Sequence, residues 1–271
     1  IFSHTNSTPK RHLLTDKHIS HALVDREGNL WLGTESDGLY FLPNVDVKVY
    51  NTQYGFLPQN KIYSLYLDKS TQNLLAGLDN GSWVTYNFSR NEFLHMPSLP
   101  LRRVLTIDRS PSGPTWIGGD GGLCVVEDRC SQFIHLPNLA IKTLIPDDQH
   151  GIYIGTSGNT FQLNGQNIPS EISKRQRRSF ANYFFQHRTR LLNQRTYALL
   201  KEDTRLWIGT TTGIYISEEE EVKPFLEDGI QQPYRVASIC RSPDSSIWIG
   251  TNSHGLLRIK NMEVVQRLQE P

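Results

Sequence analysis

The sequence predicts an all-β fold made of repeated four-stranded antiparallel units, and three observations predict it. An aromatic or apolar residue, an aliphatic residue and a glycine recur six times in one local setting. The copies are Trp31-Leu32-Gly33-Thr34, Leu75-Ala76-Gly77-Leu78, Trp116-Ile117-Gly118-Gly119, Tyr153-Ile154-Gly155-Thr156, Trp207-Ile208-Gly209-Thr210 and Trp248-Ile249-Gly250-Thr251. Their glycines stand 44, 41, 37, 54 and 41 residues apart, the length of one supersecondary unit that must stack on its neighbours to bury its faces. Each copy is also bracketed by alternating runs and turn residues at intervals of roughly 8 to 12 residues, an all-β pattern. A four-stranded unit repeated radially every 40 to 50 residues or so is a β-propeller blade.

Within each unit the elements follow in order. The first strand is the alternating run: His21-Ala22-Leu23-Val24, Tyr63-Ser64-Leu65-Tyr66-Leu67, Val104-Leu105-Thr106-Ile107, Thr143-Leu144-Ile145, Tyr197-Ala198-Leu199-Leu200 and Ala237-Ser238-Ile239-Cys240. Turn residues come next, as in Asp25-Arg26-Glu27-Gly28, Asp108-Arg109-Ser110-Pro111 and Pro243-Asp244-Ser245-Ser246. The motif is the second strand. A second turn (Ser36-Asp37-Gly38, Asp79-Asn80-Gly81, Thr211-Thr212-Gly213) leads to a third strand such as Leu39-Tyr40-Phe41-Leu42 or Ile214-Tyr215-Ile216. A looser fourth closes the unit, as at Phe133-Ile134-His135-Leu136 and Val264-Val265-Gln266-Arg267-Leu268.

The motif has a mechanical reason. Motif strands of adjacent blades are expected to pack face to face, where a missing Cβ permits close backbone approach. The neighbouring Trp or Tyr fills the wedge between blades, where a large apolar side chain buries most surface. Four of the five tryptophans hold this one position, so they read as mortar rather than as a binding stripe.

The repeats resemble the two-component regulator propeller family. The resemblance rests on Asp25-Arg26-Glu27-Gly28-Asn29-Leu30-Trp31-Leu32-Gly33-Thr34 with Gly38-Leu39, on Leu206-Trp207-Ile208-Gly209-Thr210, and on Ile247-Trp248-Ile249-Gly250-Thr251 with Gly255-Leu256. The segment Tyr54-Gly55-Phe56-Leu57-Pro58-Gln59-Asn60-Lys61-Ile62 is similar to the family's inter-blade connection. The second repeat departs from the pattern at Leu75 and Ala76, and the fourth has Tyr153 for the tryptophan. The resemblance implies the periplasmic, extracytoplasmic sensor region of a bacterial histidine kinase, often a hybrid kinase that responds to glycans. It implies seven-bladed propellers followed by a β-sandwich and a membrane helix. The partners expected from it are an oligosaccharide ligand and further propeller and β-sandwich domains of the same parent protein; a homodimer is an open alternative.

Residues 1–271 read as one β-propeller domain. The segments Ile1-Phe2-Ser3-His4 and Arg11-His12-Leu13-Leu14-Thr15 look like outer strands of a preceding blade, so residues 1–17 predict a fragment of a seven-bladed ring. The formal net charge of +1 gives no reason to expect nucleic acid. No run of about 18 apolar residues exists to contact or span a membrane. The start at Ile1, without Met or a signal-like stretch, predicts an excised or processed piece. Cys124, Cys130 and Cys240 make an odd count. Cys124 and Cys130 flank a hairpin turn and could pair, but Cys124 and Cys240 are expected chiefly as small buried hydrophobes, and the cysteines do not settle the compartment. The long interval holds a basic, aromatic insertion, residues 171–190. It is either an anion- or partner-binding flap or, as we favour, an elongated outer hairpin with solvated charges.

Catalytic constellations are absent from the sequence. It holds no glycine-rich phosphate loop, no serine nucleophile elbow and no zinc-ligand spacing, so no cofactor, metal or catalytic residue is expected. His18 and His21 are three apart, a spacing that points them to opposite faces of a strand. Asp147-Asp148 falls where other repeats place turn aspartates. His254 is the general-base candidate by location, with Asp79 and Asp120 on equivalent turns, so an enzyme of the propeller lyase or glycosidase type stays open, as does a protein-binding scaffold. The loops after each motif strand and the loops between blades emerge on one face, where a rigid scaffold concentrates binding residues. That face is expected to collect Tyr54, Asp79, Trp83, Arg102, Arg103, Asp120, Tyr234, Arg235 and His254, together with Phe56, Asn80 and Asn159. Aromatic rings to stack on sugars, with Asp, Asn and Arg for hydroxyls, suit a carbohydrate.

Overall fold

All six alternating runs form strands, and all six motif glycines lie in the strand that follows. The computed structural model describes residues 18–24, 30–34, 39–42, 50–53, 55–110, 113–127, 130–147, 151–163, 182, 184–218, 221–252 and 254–268. The chain divides into two units, Ile1–Tyr50 and Asn51–Pro271. In the first, β1 (Ile19–Val24), β2 (Leu30–Thr34) and β3 (Leu39–Leu42) form an antiparallel sheet in that order. The expected outer strands within residues 1–17 lie outside the described residues.

The second unit carries five repeats. Strands β4 (Ile62–Asp68), β5 (Asn73–Leu78), β6 (Trp83–Asn87) and β7 (Glu92–His95) form one four-stranded meander. Two more are β14 (Thr196–Glu202), β15 (Arg205–Thr210), β16 (Ile214–Glu218) and β17 (Glu221–Pro224), then β18 (Val236–Arg241), β19 (Ile247–Thr251), β20 (Leu256–Lys260) and β21 (Glu263–Leu268). Between them the third and fourth repeats run on into one another without a break in the strands. Strands β8 (Val104–Arg109), β9 (Thr115–Glu127), β10 (Cys130–Asp147), β11 (Gly151–Thr156), β12 (Thr160–Leu163) and β13 (Arg188–Leu192) form one six-stranded sheet. The cause is backbone continuity. The first half of β9 pairs with β8 and its second half with β10, while β10 gives its first half to β9 and its second half to β11. β8, the two halves of β9 and the first half of β10 thus make up one repeat, and the second half of β10 with β11, β12 and β13 the next, four segments each as expected, with Gly121 (φ 98°) and Asn138 (φ 65°) absorbing the bends.

The glycines have the use predicted for them. A Cβ on Gly77 would lie 2.4 Å from Val104 Cγ1, one on Gly118 2.5 Å from Ile141 Cγ2, and one on Gly209 2.4 Å from Val236 Cγ1. Gly77, Gly118, Gly155 and Gly209 make room for the residue that opens the next repeat's first strand, whereas the nearest described atoms to Gly33 and Gly250 belong to their own repeat's first strand. The aromatic letter fills the wedge between repeats. Trp116 packs with Leu136, Ile141, Ile152 and Ile154, and Trp207 with Val236, Ile247 and Ile249. Their indole N–H groups donate to Ser110 Oγ (3.2 Å) and Glu202 Oε2 (3.2 Å), which satisfies the single polar atom of an otherwise apolar ring. The threonine letter closes the following turn. Thr210 Oγ1 donates to Gly213 O (2.8 Å) and Thr251 Oγ1 to Gly255 O (2.9 Å).

The first strands share a further feature. In every repeat the register slips by one residue after the opening position, between Ile19 and His21, Ile62 and Ser64, Val104 and Thr106, Ile141 and Thr143, Thr196 and Ala198, and Val236 and Ser238. Each is a β-bulge, a device that takes one residue out of the ladder and re-aims its side chain.

Most of the basic insertion lies outside the described residues. Of its described part, residues 182 and 184–187 are helical and residues 188–190 open β13, which pairs antiparallel with β12. Phe184 is fully buried in the same cluster as Trp116 and Ile154. The Arg188 guanidinium lies over the rings of Phe161 (4.6 Å), Phe185 (4.7 Å) and Phe184 (5.6 Å). Here the aromatics anchor the segment and one of its cations caps them. Cys124 is buried and free, its thiol pushed up to about 12 by burial, so it does not pair with Cys130. Cys240, expected inside, is exposed, because the slip in β18 sets the register of that strand.

One carboxyl sets a pH dependence. Burial raises the Asp108 carboxyl to about 6, against the hydrogen bond that Arg109 N–H donates to it (2.7 Å). The folded chain therefore holds this proton more tightly than the unfolded chain, whose Asp titrates near 4 or so. Stability from this site is complete below pH 4 and is lost as pH rises to about 6. Asp108→Asn should stabilise the chain at pH 7.5 by up to about 3 kcal/mol, read as a higher melting temperature, and leave it unchanged at pH 3.5. A lower melting temperature at pH 7.5 would contradict this assignment.

Candidate functional site

The turns after the motif strands and the segments entering the next first strand are hydrogen-bonded together in the second unit. Asp79 bridges Arg103, and Asn80 N–H donates to Arg102 O (2.7 Å). Asp120 N–H donates to Arg103 O (3.2 Å), Ser157 N–H to Ala140 O (2.9 Å), Thr211 N–H to Arg195 O (3.2 Å) and Asn252 N–H to Arg235 O (2.9 Å). One backbone lock, repeated four times, fixes the entry residues beside their own repeat's turn. This regularity is what places the candidate side chains on a common face.

Four expected residues converge there. The Arg103 guanidinium Nε donates to Asp120 Oδ2 at 2.5 Å, and Arg102 approaches the same oxygen at 3.5 Å. Burial alone would raise the Asp120 carboxyl. The hydrogen bond from Arg103 and the charges of Arg103, Lys142 and Arg102 outweigh it, so the group stays ionised well below the usual range. Asp79 joins through its backbone, its carbonyl accepting from Gln59 Nε2 (2.5 Å). Arg103 also lies over the ring of Tyr63, 5.6 Å from its centre. Beside this pair opens a depression of about 380 Å³ lined by Arg102, Asp120, Gly121, Asn138, Leu139, Ala140 and Ser157. Asn159 follows on the same turn as Ser157, and its Oδ1 is buried with no partner among the described residues.

The remaining expected residues separate. Trp83 is buried, donating its indole N–H to Pro97 O (3.1 Å) and packing with Leu75, Leu99 and Val104. Tyr234 is buried as well. Its hydroxyl donates to Glu227 Oε2 (2.5 Å), Arg267 bonds the other Glu227 oxygen, and the Tyr234 ring meets His254 edge to face at 5.3 Å. Neither aromatic is displayed for stacking on a ligand, because each lies at an interface between repeats that needs a large apolar body. His254 is half-buried, held by a bond from its N–H to Thr251 Oγ1 (2.9 Å). Arg235 is exposed, and Tyr54 lies outside the described residues.

Sequence reasoning missed Lys142, Arg195, Tyr63 and Tyr197. The Tyr197 hydroxyl is hydrogen-bonded by both Arg195 and Arg235, and Lys142 stands near it. Burial would raise this phenol, but those cations lower its pKa. The signal lay in the repeat register: Tyr63, Lys142 and Tyr197 are bulge residues of three first strands, and Arg195 is the entry residue of the strand that carries Tyr197.

With this geometry in hand, resemblance can be weighed. The family model described as two component regulator propeller matches residues 13–36, the segment that contains the motif of the first repeat. This segment is similar to a regulator propeller repeat. No curated protein sequence matches the chain. Among solved structures, the propeller is similar to the extracellular domain of BT4673 from B. thetaiotaomicron, described as a hybrid two component system. The two are 20% identical with a TM-score of 0.51, over 90% of this chain and 38% of that one. It is also similar to PorZ, a surface component of the type-IX secretion system of Porphyromonas gingivalis (13% identity, TM-score 0.59, 87% of this chain and 37% of that chain). A third likeness is to virginiamycin B lyase from Staphylococcus aureus (13% identity, TM-score 0.55, 94% and 85%). At such identities the likeness is one of fold. The propeller spans about 38% of the length of the BT4673 domain. Among the described residues no helix is long and apolar enough to cross a membrane, and no group of three or more His, Cys, Asp and Glu side chains is placed to hold a metal.

Proposed function

We propose that this chain is a ligand-sensing propeller from the periplasmic part of a two-component sensor, that it reads an oligosaccharide, and that a histidine kinase elsewhere in its parent protein receives the signal. The observation that carries this reading is the regulator propeller repeat at residues 13–36, on a fold shared with an extracellular two-component domain. The site supports it: the open depression beside Asp120 offers Arg102, Asn138 and Ser157 as donors and acceptors for hydroxyls. Further propeller and β-sandwich domains of the parent, and a second copy of the chain, are the partners this reading requires for transmission.

The same reading makes the region non-catalytic. His254 is packed on Tyr234 and Asp120 is committed to Arg103, and among the described residues that line the depression Asp120 faces no second acid or base. A thermal-shift screen of the chain against an oligosaccharide panel tests binding, since a ligand that binds only the folded state stabilises it, by about 2.7 kcal/mol at 100 times Kd, and so raises the melting temperature. No shift with any member would sink the sensor reading. Glycan turnover that disappears in His254→Ala or Asp120→Ala would replace it with an enzyme.

A further inference from the structure

The entry positions of the second unit carry charge in a repeating way. The residue just before each first strand is Lys61, Arg103, Ala140, Arg195 and Arg235 in turn. Four of five are basic, and in the exceptional repeat the bulge residue two places on is Lys142. These strands follow one another in packing, β4 on β8, β8 on β10, β10 on β14 and β14 on β18. With the repeated carbonyl lock, the cations therefore stand at the same level along one face. A run of charge spread over a chain of net charge +1 becomes a concentrated basic arc.

Only one part of the arc is neutralised within the chain. Asp120 pairs with Arg103 and Arg102. Among the described residues no carboxylate lies within ion-pair distance of Lys142, Arg195 or Arg235 in that cluster. Arg195 Nε donates to Ser157 O (3.1 Å), and both arginines turn to the Tyr197 hydroxyl. A phenol oxygen thus sits where three cations would more strongly hold an anionic one, because charge-assisted hydrogen bonds are about twice as strong as those to neutral acceptors. Ser157 lines the depression, so this cluster adjoins it.

We infer that Lys142, Arg195, Arg235 and Tyr197 form a subsite for an acidic group, and that the oligosaccharide read by this face carries a carboxylate or a sulfate ester. This inference rests on the sensor reading given above, and it names the class of glycan. Arg195 and Arg235 supply planar forks suited to a two-oxygen anion, Lys142 adds a point charge, and the Tyr197 hydroxyl is free to rotate and donate.

The test uses the whole chain and titration calorimetry. The probes are a tetragalacturonate, a sulfated chondroitin tetrasaccharide, and neutral counterparts of each made by methyl esterification and by desulfation with esterification. One acidic probe is expected to bind about tenfold or more tighter than its neutral counterpart, with affinity falling as salt rises. Which of the two binds distinguishes carboxylate from sulfate. The Arg195→Ala/Arg235→Ala double variant should lose about tenfold or more, whereas Arg90→Ala, removing a cation paired with Glu92 on a distant hairpin, should change nothing. Circular dichroism confirms that the variants keep their strands. Neutral probes binding as well as acidic ones, or a double variant binding as tightly as the parent, would overturn the acidic subsite and leave a glycan sensor standing. Failure of every probe, acidic and neutral, would count against both.

Discussion

Gly209→Ala is expected to destabilise the chain by about 1–3 kcal/mol in urea unfolding, although the same change in an open strand would stabilise by about 0.4–1 kcal/mol through the unfolded chain. The sign is decided by space. A Cβ at Gly209 would sit 2.4 Å from Val236 Cγ1, 3.0 Å from Val236 Cβ and 3.1 Å from Ile239 Cδ1. Val236 is buried and opens β18, so the clash pushes one repeat away from the next. A second substitution separates this from a local backbone effect: Val236→Ala in the Gly209→Ala background should recover part of the loss, because it removes the methyl groups that collide. If Gly209→Ala is as stable as the parent, the close packing of motif strands is not what the glycine provides.

The second large effect is expected at Asp68. Its carboxylate is buried and accepts from Ser70 Oγ (2.6 Å), Ser70 N–H (2.9 Å) and Thr71 N–H (3.3 Å), and Arg109 Nη1 of the next repeat closes on its other oxygen at 2.6 Å. Burial raises the carboxyl, but these bonds together hold it far below its ordinary value. A lowered acid contributes stability above the unfolded pKa, near 4 or so, and loses it as pH falls below that point. Asp68→Ala should therefore lose about 2–3 kcal/mol at pH 7, Asp68→Asn less, and both deficits should shrink toward pH 2. The surface pair Arg258–Asp244 (2.5 Å) offers the contrast. Its removal should cost much less than that of Asp68, since solvent screens it. Equal losses at the two sites would show that burial does not distinguish them.

Much of the fold was legible because a blade is a local object. Periodicity gave the strands, and Trp116 and Trp207 were readable as mortar since an isolated pattern of that kind has one packing use. That β9 and β10 each run unbroken through two of these segments was not legible. Whether Asp120-Gly121-Gly122 breaks a strand or merely bends it depends on the neighbours it pairs with. The face residues divided along the same line. Arg102, Arg103, Asp79 and Asp120 were found because they sit on turns, which sequence marks well. Trp83 and Tyr234 were misplaced because a loop position says nothing about whether a ring points inward.

Taken alone, the sequence determined the repeat length, the four-stranded order and the glycine in each motif strand. These follow from spacing and side-chain size, which operate over a few residues and carry across every copy. Tertiary structure alone decided which charges act together. Arg103 and Asp120 are 17 residues apart in the chain and 2.5 Å apart in space. Tyr197 gathers Arg195 from its own repeat and Arg235 from the next. Electrostatic energy depends on distance and burial, neither of which sequence separation measures, so the basic arc and its one neutralised end appear only once the repeats are stacked.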